Sequence, residues 1–324
     1  EGRVLKDSSQ IASAVQVSST MAIDALSKQM MADGIDVVGF GAGEPDFNTP
    51  EHIKAAANRA IADNNTRYTP ASGTAALKEA VCRRMKEDCG LDYTPSQVVV
   101  SSGAKHCVYL ALRALVNPGD EVVLPAPFWV SYLEMIKMAG AKPVIVTAGE
   151  GSGFKMTAEQ LEAAVTPNTK ALIINNPCNP TGMVYSREEL DAIARVCVDK
   201  DIYVISDEIY YGLMYDGRQF VSIAALDSEV RERTILINGV SKSYAMTGWR
   251  IGYLLASEKI AKVLSNFVSN STGSPCTISQ EAAVAALNGP QGCVEEMCQA
   301  FEKRRNYIVE RMNRMDGVSC IQPE

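Results

Sequence analysis

A lysine at position 242, followed eight residues later by Arg250 within a run of small and apolar residues, brings together an amine and a guanidinium. Burial disfavours the charged form of a lysine and so yields the neutral nucleophile that Schiff-base chemistry needs. An arginine beside it suits a bidentate phosphate contact. Asp207 offers a carboxylate at the end of an apolar run, and Gly103, Ala104 and Lys105 form a glycine-containing turn opening a helix, where backbone N–H groups can receive an anion. Each residue alone has a plainer reading: a solvated lysine, a surface arginine, a turn aspartate. With two histidines, His52 and His106, there is little material for a His-rich metal site or a Ser-His-Asp triad, and no metal is expected.

These residues gain meaning from the elements that must hold them. Short apolar runs at 98–100, 121–124, 142–146, 171–174, 203–205 and 235–237 fit buried strands. Amphipathic stretches at 105–116, 131–139 and 187–199 lie between them with the length of crossover helices, and the alternation predicts a mainly parallel sheet covered on both faces. Helical spacing also predicts helices over 20–31 and 50–64, the latter with Thr49 as N-cap and Pro50 in its first turn. In such a sheet ligands bind outside the carboxyl ends of the strands. Five of the runs lead into segments with groups able to hydrogen-bond, stack or carry charge: Ser101 and Ser102, Phe128 and Trp129, Asn175 to Asn179, Asp207 to Tyr210, and Ser241 with Lys242. From about residue 289 a charged helix is predicted over 294–315, its charges read as a solvated face.

Composition limits the alternatives. A chain of 324 residues with 47% hydrophobic and 21% charged residues belongs to the globular class and is long enough for about two domains. A formal charge of -7 argues against nucleic acid or anionic lipid as partners. Nine scattered cysteines, an odd number without C-x-x-C spacing, read as buried thiols in a reducing compartment. No run approaches the roughly 18 apolar residues of a membrane span, and a cytoplasmic location is expected.

Seven segments, in order, resemble the class I (fold-type I) pyridoxal-phosphate-dependent aminotransferases. They are "GAGEPDFNTP" (41–50), "RYTPASGTAALKEAV" (67–81), "SSGAKHCVYLAL" (101–112), "PAPFWVSY" (125–132), "NNPCNPTGMVY" (175–185), "SDEIYYGLMYDG" (206–217) and "NGVSKSYAMTGWRIGYL" (238–254). The bacterial and plastid aspartate aminotransferases, some of which also accept prephenate, are the branch most resembled. The resemblance implies an α/β fold with a mostly parallel seven-stranded sheet between helices and one antiparallel strand. Residues 45–290 would form the large cofactor domain, 1–44 the N-terminal part of a small domain, and 291–324 an interdomain helix and the start of its remainder.

Carried over, the resemblance makes Lys242 the Schiff-base lysine and proton shuttle, and Asp207 the carboxylate that keeps the pyridine nitrogen protonated. Asn179 and Tyr210 would hydrogen-bond the ring's phenolic oxygen, and Trp129 would stack on its face. Gly103, Ala104, Lys105 and Arg250 would hold the phosphate, joined by Tyr68 of the neighbouring subunit in a homodimer with shared active sites. Some relatives carry a phosphate-binding serine three positions before the lysine; Gly239 stands there, with Ser241 as substitute. For substrate, Gly43 matches a backbone contact to one carboxylate, and Thr20 and Lys105 match contacts to a distal one, beside Trp129 and Asn179. Val17 stands where relatives often have proline. The bonds Ala126–Pro127 and Asn179–Pro180 are expected to be cis.

The expected reaction is a ping-pong transfer from aspartate to 2-oxoglutarate. Alternatives on the same fold are an aminotransferase for prephenate, aromatic or neutral amino acids, a lyase acting at Cβ or Cγ, and a cofactor-binding regulatory module. A first residue other than methionine, and a strand-like start at Val318, lead to the expectation that both ends are cut. The resemblance places the arginine that clamps the α-carboxylate beyond Glu324, so this segment is expected to bind cofactor yet catalyse poorly.

Overall fold

Runs of aliphatic and β-branched residues too short for a core helix form one sheet in the computed structural model, which describes residues 6–16, 19–41 and 43–324 and gives Ser19 by its backbone alone. Val17 lies outside the described residues. The strands are β1 (Val98–Ser101), β2 (Glu121–Ala126), β3 (Lys142–Thr147), β4 (Thr169–Asn175), β5 (Tyr203–Asp207), β6 (Thr234–Gly239) and β7 (Gly252–Leu255). Their order across the sheet is β1-β7-β6-β5-β4-β2-β3. The pairs β2/β3, β2/β4, β4/β5 and β5/β6 are parallel, whereas β7 runs antiparallel to both of its neighbours, β1 and β6. The six apolar runs all fall within strands. β7 does not stand out in the sequence, because its four residues begin with glycine inside the lysine segment.

Strand alternation decides which residues look where. Val99, Leu124, Ile173, Ile205, Ile237 and Leu254 share one apolar cluster with the helices Ala104–Leu115, Ser131–Met138 and Glu258–Ser271. On the other face, Val98, Val100, Leu236, Tyr253 and Leu255 pack with the helices Glu51–Ala62, Ala75–Cys89 and Thr277–Asn288, while Leu172, Ile174 and Val204 pack with Arg187–Asp199. Two residues beyond Ile205, Asp207 therefore faces the first cluster; its neighbours Ser206 and Glu208 face away.

Chain order also opens a crevice. From β2 the chain steps outward to β3, and from β4 it steps the opposite way through β5 to β6. The segments leaving the carboxyl ends of β2 and β4 diverge at such a reversal, which is where α/β sheets bind ligands.

Several expectations need correction. Thr49 does not cap its helix: Pro50 is the N-cap residue, and the Thr49 hydroxyl donates to the Ala245 carbonyl (2.7 Å) and accepts from Trp249 Nε1 (3.1 Å). No strand begins at Val318, because the tail finds no ladder partner. The Cys320 N–H donates to Asn313 Oδ1 (2.7 Å) and the Glu324 N–H to the Gly182 carbonyl (2.8 Å). The charged helix, Gly292–Met312, is not solvated throughout. Arg305 is buried and makes a two-pronged bond to Asp216, both contacts 2.7 Å, because the loop carrying Asp216 packs over it. Among the cysteines only Cys107 and Cys197, on the core-facing sides of helices, are buried, and Cys276, the N-cap residue of the helix Thr277–Asn288, is exposed. Cis bonds occur at Ala126–Pro127 and Asn179–Pro180, and also at Asn176–Pro177.

Candidate active site

Against the carboxyl ends of these strands lies a cleft of about 630 Å³, with Lys242, Asp207, Tyr210, Asn179, Trp129, Lys105, Arg250, Ser241, Ala104, Gly43 and Thr20 in its walls. The residues singled out from the sequence thus meet in one place, with two exceptions. Gly103 lies just behind the wall, in contact range of Arg250. Tyr68 does not line the cleft and is 100% exposed.

Gly103 is the N-cap residue of the helix Ala104–Leu115, and the first N–H groups of that helix have no intrahelical acceptor. Its φ of +91° favours glycine, and a Cβ there would come within 2.3 Å of Arg250 Nη2. Arg250 itself adopts a left-handed backbone conformation (φ 58°) and is held by Nη1 donating to the Thr247 carbonyl (2.8 Å). The helix start is seated on β7, where Gly252 pairs with both Gly239 and Ser101. A Cβ at Gly252 would lie 2.3 Å from the Ala104 nitrogen. Gly252→Ala is therefore expected to destabilise the fold by about 1–3 kcal/mol through overpacking and to weaken anion binding. Thermal unfolding beside Gly292→Ala, a position with nothing within 4 Å of a new Cβ, checks it.

Opposite this cradle sits Asp207, 3% exposed. The Tyr132 hydroxyl donates to its Oδ2 (2.7 Å) and the Ile209 N–H to its Oδ1 (3.2 Å). Burial pushes its pKa up to about 6, against the opposing pull of those two donors and of Lys242. A buried carboxylate in that condition is a site for a cation.

Lys242 leaves the loop after β6 and donates from Nζ to the Gly43 carbonyl, 5.8 Å from the Tyr210 ring centroid. Burial lowers its pKa, Arg250 adds to that, and Glu44 and Asp207 oppose it. Tyr210 accepts from Asn179 Nδ2 (3.3 Å), and its own pKa is pushed up to about 12, chiefly by burial and by Asp207. Asn179 is aimed from below: its N–H donates to Asn175 Oδ1 (2.7 Å), and Asn175 Nδ2 donates to the Asp207 carbonyl (2.9 Å). Trp129 stands edge-on to Tyr132 (ring centroids 5.3 Å apart, 88°), and Lys105 Nζ lies 4.8 Å from the Trp129 ring centroid.

A serine at position 239 has no room here. A Cβ would come within 2.9 Å of the Ile251 carbonyl and 3.1 Å of Gly252 Cα, so β7 would have to move. Ser241 is buried and lies in the cleft wall.

Tyr132, Asn175 and Glu44 are functional candidates that the sequence reading passed over. All three line the cleft, and Glu44 accepts from the Thr247 hydroxyl (2.9 Å). Each lies inside a segment quoted for the resemblance; strand alternation from Ile173 turns Asn175 to the same face as Asp207, but nothing in the local spacing of Tyr132 or Glu44 says that it turns inward.

Comparison with known proteins gives matches over most of the chain. A family model described as aminotransferase class I and II matches residues 35–324. An aspartate aminotransferase of Bacillus subtilis (strain 168) is 49% identical over 312 residues, 96% of this chain and 79% of that protein. An aspartate/prephenate aminotransferase of Cereibacter sphaeroides is 46% identical over 96% of this chain and 78% of that protein. Among solved structures, an aspartate aminotransferase of Rhizobium meliloti superposes with a TM-score of 0.95 at 40% identity, covering 98% of this chain and 80% of that one. That of Thermus thermophilus with maleate gives 0.92 at 39% identity, covering 95% and 81%.

Proposed function

The chain belongs to the class I and II aminotransferase family, and from that premise we propose that it is a pyridoxal 5'-phosphate enzyme moving the amino group of aspartate to 2-oxoglutarate in two half-reactions. The observation that carries this reading is one cleft in which a buried carboxylate, a lysine of lowered pKa and a helix start backed by Arg250 face the same space. Those features fit the group. Anion donors suit its phosphate, the Asp207 carboxylate suits a protonated ring nitrogen, and Lys242 is an amine within the same walls. When bound, pyridoxal phosphate supplies an electron sink that stabilises negative charge at the substrate Cα.

The protein's own part is to bind, orient and move protons. Gly103, Ala104, Lys105, Ser241 and Arg250 would hold the phosphate; Asp207, whose ionised form is favoured by the Tyr132 and Ile209 donors, would hold a proton on the ring nitrogen. Tyr210 and Asn179 would hydrogen-bond the phenolic oxygen, and Trp129 would lie against the ring. Lys242 Nζ, whose pKa burial lowers so that the neutral amine is more readily available, takes the proton from the substrate Cα. Its bond to the Gly43 carbonyl keeps the amine directed across the cleft. Gly43, Thr20, Lys105, Trp129 and Asn179 form the substrate side. Tyr68, which does not reach the cleft of its own chain, reaches the phosphate of a second copy in a homodimer.

Aspartate is favoured because a distal carboxylate wants a cation, and Lys105 stands in the cleft wall over Trp129. The similar Thermus thermophilus structure holds maleate, also a dicarboxylate. Lys105→Met is expected to lower the half-reaction rate with aspartate on the order of 10-fold to 100-fold relative to alanine, the loss of one charge-assisted bond. Equal losses for both amino acids would remove Lys105 from the specificity contacts.

The reading as a whole is tested by adding pyridoxal phosphate to the purified protein, reducing with borohydride and mapping the labelled peptide. Label on Lys242, and spectral change on adding aspartate but not an unreactive amine, are expected. Label on another lysine would overturn the assignment, and release of ammonia without an amino acceptor would point to a lyase.

A further inference from the structure

We propose that Gln280, together with Thr277, is a positioning residue for the active site of the neighbouring subunit, because it holds the segment 67–74 so that Tyr68 is presented outward. The proposal rests on the reading of Tyr68 given above as a phosphate contact across a homodimer. Gln280 lies on the helix Thr277–Asn288 and is fully buried, and two of its three side-chain hydrogen bonds reach the segment 67–74, the third going to the loop that leads into its own helix. Its Oε1 accepts from the Thr74 N–H (2.9 Å), and its Nε2 donates to Thr69 Oγ1 (3.0 Å) and the Pro275 carbonyl (3.0 Å). The partners fix the amide's orientation, since a backbone N–H can only donate and a carbonyl can only accept.

Other anchors act on the same segment. The Thr277 hydroxyl donates to the Arg67 carbonyl (2.7 Å), one residue before Tyr68. The Val100 N–H of edge strand β1 donates to the Ser72 carbonyl (3.0 Å), and Lys78 Nζ donates to Ser72 Oγ (2.8 Å). Gly73, with φ +102°, lies so close to β1 that a Cβ would come within 2.4 Å of Val100 Cγ2. The underside of the segment is thus pinned at Arg67, Thr69, Ser72 and Thr74, while the aromatic ring it carries is 100% exposed. Ordering a segment costs conformational entropy, and an aromatic held in place gains contact area at little further entropic cost when a partner arrives. Preorganisation for contact accounts for both facts; ordinary loop packing accounts only for the first.

The test uses the full chain as a dimer, with pyridoxal phosphate as probe. Tyr68→Phe, Gln280→Met and Thr277→Val are each expected to bind the cofactor about tenfold more weakly, on the order of the net worth of one hydrogen bond at the phosphate. Thr277→Val, nearly isosteric, keeps the test open if Gln280→Met fails to fold. Gln280→Met subunits are then mixed with Lys242→Ala subunits. One cleft of each mixed dimer combines an intact Lys242 with the intact 67–74 segment of the other chain, so half of the sites should recover unsubstituted affinity in borohydride labelling. No recovery on mixing would overturn the proposal, because the defect would then act within its own chain. Normal affinity of both the Gln280 and Thr277 variants alongside a weakened Tyr68→Phe would overturn it while leaving the reading of Tyr68 intact. Normal affinity of Tyr68→Phe would overturn both.

Discussion

Lys242→Ala is expected to retain pyridoxal phosphate only reversibly, to take up no label on borohydride reduction, and, in a protein that carries the α-carboxylate contact, to lower the rate of the aspartate half-reaction on the order of 10⁴-fold. Three lysines line the cleft, and their surroundings separate them. Lys28 is paired with Asp24 (2.8 Å), and that bond raises its pKa, so it stays a cation with no lone pair to offer. Lys105 has a pKa lowered by burial and by Arg250, but it opens the helix at the anion cradle and lies over Trp129. Lys242 combines a pKa lowered by burial with a position between Tyr210 and the Gly43 carbonyl, in the same walls as Asp207. An added small primary amine should restore part of the rate to Lys242→Ala, since the missing function is a proton acceptor of that kind. Label that persists at Lys105 in the variant would show that the covalent role had been placed on the wrong lysine.

Asp207→Asn is expected to lose about 10²-fold to 10⁴-fold in rate, because a neutral amide no longer keeps the ring nitrogen protonated. The same substitution should make the cofactor-free protein more stable above neutral pH. The folded-state pKa of about 6 stands above the ordinary 3.8, so between those values the folded state binds more protons than the unfolded chain and stability falls as pH rises. Ionised Asp207 therefore costs at most about 3 kcal/mol at pH 8. Asparagine removes that cost but cannot accept from both Tyr132 and Ile209 in the same way, which returns about 1 kcal/mol. A rise of a few degrees in the unfolding midpoint of the cofactor-free protein at pH 8 follows. Glu208, on the opposite face and pushed up to about 8 by burial with a smaller push from the Asp207 charge, produces a similar fall between its ordinary value and about pH 8, of which Asp207→Asn removes only the part due to that charge. An unfolding profile whose slope between pH 4 and 6 is unchanged in Asp207→Asn would refute the assignment of that slope to this carboxyl.

The strand ends that carry Asp207 and Lys242, the helix opening at Gly103 and six of the seven strands of the sheet that gathers them were legible from residue order, whereas the roles proposed for the lysine and the carboxylate came from the resemblance. Hydrophobic runs and strand alternation are short-range properties, set by each residue and its immediate neighbours. They suffice to say that Asp207 and Glu208 look to opposite faces and that Lys242 follows a buried strand. Long-range partners are another matter. Tyr132 meets Asp207 across 75 positions of sequence and Gln280 meets Thr74 across 206, each because strands pair in a particular register and helices cross at particular places. The same reason turned the Thr49 hydroxyl away from its helix, drew Arg305 under the Asp216 loop, gave the residues after Val318 no strand to join, and left position 239 without space for a side chain. What a residue can do was decided locally; which group it does it to was decided by the packing of segments far apart in the chain.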